Sequence, residues 1–185
     1  MSQLTAPPVF DSEGRNIRSR EIIEGVIHME ARINLMEKGK KALTPVFGMV
    51  AYLNKSSIET NLRELIEYRV SQINGCAYCL DMHSKDLRHG GETEQRIYLV
   101  SAWRETDLYT PREKAALAWA EAVTKLEGQE VPDEIYEIAK KEFSEEELVD
   151  LTLAVAAINT WNRFNIAFRT PAGSYQPGQF ANAAS

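Results

Sequence analysis

Residues 60–83 read TNLRELIEYRVSQINGCAYCLDMH. Leu62, Leu65, Ile66, Val70 and Ile73 recur at three- and four-residue intervals, the spacing of an amphipathic helix, and Asn74-Gly75 supplies a natural stop. A second helix is expected from about Cys76 to Arg88, broken by His89-Gly90-Gly91. The same spacing governs the flanks, and no strictly alternating run rich in Val, Ile and Thr interrupts it, so the predicted fold is all-α.

Upstream, a polar arm to about Arg18 gives way to an expected first helix over Glu21 to Met36, ending at Gly39. Thr44-Pro45 reads as an N-cap and first-turn proline that start a short apolar helix through Met49 and Leu53. Downstream, a helix carries Ile97, Leu99, Val100 and Trp103. Thr110-Pro111-Arg112-Glu113 combines an N-cap, an N1 proline and the glutamate of a capping box, opening a helix that reaches toward Gly128. Pro132 introduces another helix to Phe143, and Ser144 with Glu147 forms a second capping box ahead of Leu148 to Phe168. The expected organisation is an arm over 1–18, one helical domain over 19–170 and an irregular tail over 171–185.

The chain has 185 residues, with 21 basic and 27 acidic side chains and a net charge of −6. No face gathers Lys and Arg among aromatics, so neither nucleic acid nor an anionic membrane is an expected partner. Met1 to Pro8 lacks the character of a signal peptide, and the longest apolar stretch, Leu151 to Ile158, is short for a bilayer span. A cytoplasmic location is expected, and there a lone cysteine pair speaks for redox or metal chemistry rather than a staple.

That pair is Cys76 and Cys79, with His83 one turn on. At roughly 100° per residue the three positions fall within an arc of about 60° on one helix face. Residues three apart on a helix are neighbours, so the sulfurs are within reach of each other and a base stands nearby. Cys76 gains from the helix N-terminus, which favours negative charge, while His83 can accept or share the proton of Cys79. These effects favour different cysteines, and spacing leaves the attacking sulfur open. A zinc site built from Cys76, Cys79 and His83, completed by His89 or Glu64, is a rival reading, although a second Cys or His pair is missing. His28 and His89 have no comparable companions, and Glu145 to Glu147 suit a helix first turn.

The run from Arg63-Glu64-Leu65 through Asn74-Gly75-Cys76-Ala77-Tyr78-Cys79 to His83 and Gly90 resembles the alkylhydroperoxidase D-like branch of the carboxymuconolactone decarboxylase family. Its pattern, Glu-x11-Cys-x2-Cys-x3-His, is met by Glu64, Cys76, Cys79 and His83. Phe143 to Leu148 and Ile158 to Asn165 look like the family's later helix. The resemblance implies an all-helical bundle assembled as a homotrimer or homohexamer, and hydroperoxide reduction (peroxiredoxin-type activity) through a redox-active disulfide. It implies that Cys79 attacks the peroxide and that Cys76 resolves the sulfenic acid. Glu64 would start a proton relay through water to His83, and an external dithiol or thiol reductase would reset the disulfide, with no cofactor, metal or flavin required. Read from the residues alone, Glu64 and Glu67 are charged positions off the apolar stripe of their helix, and Glu67 serves as the control for Glu64. Tyr78 stands where some relatives carry histidine, and it is expected at the pocket mouth or as a hydroxyl donor. Lactone decarboxylation, which calls for no dithiol, and a redox-sensing or metal-binding protein without catalysis are the alternatives.

Overall fold

In the computed structural model, which describes residues 22–23, 26–27 and 30–180, helix α3 (Thr60–Asn74) is the element around which the others pack. Leu62, Leu65, Ile66 and Val70 are buried on it, the stripe expected from the sequence. It contacts α4 (Ala77–His89), α6 (Pro111–Lys125) and α8 (Glu145–Phe168). Helix α2 (Lys40–Leu53) lies along α8, and α7 (Asp133–Glu142) lies against α6. Leu117, Leu151, Val155 and Ile158 complete a continuous apolar core with α3. Between α4 and α6 come α5 (Glu94–Leu99) and a 3-10 turn over Val100–Glu105. Both capping boxes form, Thr110 with Glu113 and Ser144 with Glu147. No helix among the described residues is long and apolar enough to cross a membrane.

Two expectations at the N-terminal side are corrected. The single helix over Glu21 to Met36 does not form: Ile22–Ile23 pairs antiparallel with Val26–Ile27, and helix starts only at α1 (Leu35–Lys38), where the Asn34 side chain accepts the Glu37 amide. Its C-cap residue, Gly39, also precedes α2, so Thr44-Pro45 does not begin a helix but lies inside one. The Thr44 hydroxyl donates back to the Lys40 carbonyl at 2.9 Å, and Pro45, the sixth residue of α2, has no amide to donate to the Lys41 carbonyl. The arm over 1–18 and His28 lie outside the described residues.

The turn between α3 and α4 places the cysteines. Gly75 adopts φ +70°, ψ 34°; its amide donates to Gln72 and the Cys76 amide donates to Ser71, the paired bonds of a Schellman stop. Cys76 thereby leaves α3 and immediately caps α4 with extended backbone, φ −86° and ψ 99°. From Pro171 the tail is irregular and returns over α4. Gly173 donates its amide to Asp81, Lys85 donates to the Gly173 and Tyr175 carbonyls, and the Tyr175 hydroxyl donates to Asp86 at 2.9 Å.

Substitution at two glycines is expected to act with opposite signs. A Cβ at Gly75 meets nothing within 4 Å, so Gly75→Ala loses only through its left-handed backbone, about 1 kcal/mol. Gly48, inside α2 and equally uncrowded, gains roughly 0.5–1 kcal/mol as alanine. Urea denaturation of the two variants reads both signs.

Candidate functional site

Three helices contribute the polar side chains that the core surrounds. From α4, the Cys76 and Cys79 thiols are buried and unbridged, their sulfurs 2.8 Å apart and joined by a single S–H···S hydrogen bond. From α8, Asn165 donates its amide to the Cys79 sulfur at 3.4 Å. Asn162, fully buried, donates to the Ser71 hydroxyl and accepts from Asn74, so the loop entering α4 is held on the same helix. From α3, Glu64 faces α4 and accepts the Nδ1 proton of His83 at 2.7 Å. This is direct contact, where a relay through water was expected.

Two sulfurs this close do not both ionise. The thiolate is favoured at Cys76, whose pKa falls to about 7: the hydrogen bond with Cys79 outweighs burial, and the Cys79 amide, the His83 charge and Asn162 add to it. Cys79 is pushed upward, first by that same hydrogen bond and then by burial and the Cys76 charge. Burial alone would neutralise His83, but Glu64, by charge and hydrogen bond, together with Glu67 and Asp86, raises it to about 9. At neutral pH the ring is therefore a cation rather than a base for a thiol. Its Nε2 is buried with no hydrogen-bond partner among the described residues and can donate.

Glu67 does not behave as a solvated control. Its side chain is 12% exposed against 14% for Glu64, and its carboxylate lies 3.6 Å from His83 Nδ1. Glu64 and Glu67 are three residues apart and share a helix face, which the sequence could have shown. Asp86, three residues beyond His83, joins them: Glu64, His83 and Asp86 bring polar atoms within 4.8 Å of one another. Asp86 is raised first by burial and then by the Glu64 charge. The cluster is an ion-paired acid–base group in which the imidazolium is the central cation. His89 is exposed at the far end of α4, outside the cluster, and acts on it only by a small lowering influence on Asp86.

The cluster forms one end of a cavity of about 740 Å³. Phe47, Met82, Ile158, Trp161 and Phe180 give it apolar walls, Tyr78 and Asn165 approach from the cysteine side, and Leu35 of α1 and Pro171 after α8 also line it. Tyr78 thus lines the cavity, with its hydroxyl raised to about 12 by burial and the Cys79 charge. Phe47 and Trp161 meet edge to face at 5.0 Å.

The model of the carboxymuconolactone decarboxylase family matches residues 38–122. YdfG of Bacillus subtilis, an uncharacterised protein, is 46% identical over 146 residues, which is 79% of this chain and 99% of YdfG. A crystallised protein of unknown function from Agrobacterium tumefaciens, proposed to be the antioxidant-defence protein AhpD, superposes with a TM-score of 0.75 at 42% identity over 79% of this chain and 100% of its own. The debrominase Bmp8 has the same fold, with a TM-score of 0.67 at 22% identity over 75% of each chain. The helical bundle, the matched segment holding the whole Glu64–Cys76–Cys79–His83 constellation and the 46% identity to YdfG agree: the chain belongs to the carboxymuconolactone decarboxylase family.

Proposed function

We propose that the protein is a thiol-dependent oxidoreductase that reduces hydroperoxides through a dithiol/disulfide cycle of Cys76 and Cys79. The observation that carries this reading is the 2.8 Å approach of two buried, unbridged sulfurs at a helix N-terminus, beside a histidine held cationic. A pair in that position shares one proton and is a monoanion near neutral pH.

The shared proton passes from Cys79 to Cys76. Cys79, the sulfur in contact with Asn165 of the cavity wall, attacks the terminal oxygen of the hydroperoxide. The S–O bond forms as the O–O bond breaks, two electrons leave the sulfur, and the alkoxide departs. Cys76 then attacks the sulfenic sulfur; its proton leaves with the hydroxyl as water and the disulfide closes. An external dithiol or thiol reductase restores the pair by exchange. His83 supports the thiolate by its charge, and Glu64 fixes the ring so that Nε2–H is the free donor. The apolar walls suit an organic hydroperoxide. Assembly as a homotrimer or homohexamer is part of this reading, with exposed apolar side chains such as Tyr98 and Val149 available to be covered.

Stopped-flow mixing of the reduced protein with cumene hydroperoxide is expected to oxidise it far faster than a free thiol, with mass spectrometry showing loss of two hydrogens. In Cys76→Ser a sulfenic acid on Cys79 is trapped by dimedone. A rate no greater than that of a free thiol defeats the proposal.

The ultraviolet absorbance of the thiolate is expected to rise through about pH 7, below the roughly 8.5 of a free cysteine. Removing the neighbouring cation destabilises the anion, so His83→Gln moves the midpoint upward. An unmoved midpoint contradicts the electrostatic role given to His83.

A further inference from the structure

The cycle consumes one proton that neither sulfur provides. The dithiol enters as a monoanion, its single proton leaves with water, and the departing alkoxide must be protonated from elsewhere. The α3–α4 cluster has a proton to give. Among the described residues, Glu64, Glu67 and Asp86 bring three carboxyl groups to a buried site that holds two cationic side chains, His83 and Arg63. An uncompensated anion there is costly, and the group relieves it by keeping a proton.

Hydrogen bonds decide which carboxyl keeps it. Glu64 accepts the His83 Nδ1 proton at 2.7 Å, and Asp86 accepts the Tyr175 hydroxyl at 2.9 Å from each oxygen; both arrangements favour the charged form. Glu67 has neither: His83 Nδ1 is 3.6 Å away and Arg63 Nε 3.9 Å, both beyond hydrogen-bond reach. Its side chain is 12% exposed and lines the cavity. We propose that Glu67 holds the surplus proton of the cluster and delivers it to the oxygen that leaves the hydroperoxide.

Burial raises the Glu67 carboxyl to about 7, against the lowering effect of His83 and with Glu64 adding to the rise, which puts the acid at the working pH of a proton donor. The charged and titratable groups around it among the described residues are Arg63 and Glu64 on its own helix, His83 and Asp86 on α4, and Tyr175 on the tail, which burial, Asp86 and the Glu64 charge raise. Trp161 and Asn165, which α8 presents to the cavity, do not titrate, and Glu121 of α6 is taken up by Arg69 and Arg104. In the donation step the Glu67 O–H bond breaks, an O–H bond to the alkoxide forms, and the alcohol leaves. The Glu67 carboxylate then regains a proton from solvent through the cavity.

This assignment rests on the hydroperoxide reading, and two measurements separate their fates. In protein labelled with carbon-13 at glutamate Cδ, a nuclear magnetic resonance titration is expected to show one side chain with a midpoint near pH 7, missing in Glu67→Gln and present in the exposed control Glu134→Gln. Ionisation of every glutamate below about pH 5.5 overturns the assignment, whatever the peroxide kinetics. Oxidation of the dithiol by cumene hydroperoxide is expected to lose rate above pH 7 relative to its thiolate fraction. In Glu67→Gln that falling limb disappears and the rate at pH 6.5 drops about a hundredfold, the low side of what positioned general acids contribute. An unchanged profile in Glu67→Gln, in protein whose helical circular dichroism is intact, overturns the donation. Failure of the unsubstituted protein to oxidise, with the Glu67 titration in place, overturns the hydroperoxide reading and the donation step with it.

Discussion

The contact between Glu64 and His83 is where the helical packing and the chemistry meet. It joins α3 to α4 at 2.7 Å, with the two side chains 14% and 5% exposed. A buried ion pair is a poor device for stability alone, since an apolar pair of similar volume holds two helices together at least as well. Removing one member, by contrast, leaves a charge without a partner and costs about 3–5 kcal/mol. The pair therefore commits the α3–α4 interface to a polar solution, and the remaining polar groups follow from it. Once His83 is a cation, a thiolate at Cys76 on the same helix face is favoured, and Glu67 and Asp86 can be accommodated beside the ring.

The position of the thiolate depends in turn on the turn at Gly75. A longer connection would let α4 begin with a solvated cap. The Schellman stop instead makes Cys76 the last residue tied to α3 and the cap of α4, with its sulfur buried. The sulfur stands at the N-cap position without forming a side-chain capping hydrogen bond, and the Cys79 amide favours its negative charge. The dithiol is thus held by backbone geometry, and its polarity is set by His83 on the same helix and by the asparagines of α8.

Much of this was legible in the sequence because it obeys local rules. The stripe of α3, the Asn74-Gly75 stop and both capping boxes are decided within a few residues, and they form as expected. The N-terminal side failed for the same reason in reverse: Thr44-Pro45 satisfies a local rule, yet the Gly39 cap upstream had already started the helix. The acid cluster was half legible. The motif names only Glu64, although the three-residue spacing puts Glu67 on the same face. The asparagines of α8 carry a signal in their spacing. Leu148, Leu151, Val155, Ile158, Asn162 and Asn165 follow one three-four spacing, and the last two are buried polar residues continuing an apolar stripe. Polar side chains in such places need partners, and theirs are Ser71, Asn74 and the Cys79 sulfur, all distant in sequence.

The placement of the acid cluster at one end of an apolar cavity strengthens the chemistry on both sides. Phe47, Met82 and Trp161 line the same cavity as the carboxyl groups, and burial is the largest influence on Glu67 and Asp86. An organic hydroperoxide entering the cavity would displace still more water, raising the cost of an unpaired anion there and holding the proton more firmly until an alkoxide forms to take it. Release is then driven by the reaction itself, because a new alkoxide is far more basic than any carboxylate. The tail belongs to the same logic: by donating the Tyr175 hydroxyl to Asp86 it keeps that carboxyl occupied and closes one side of the cavity, so that the proton left over belongs to Glu67.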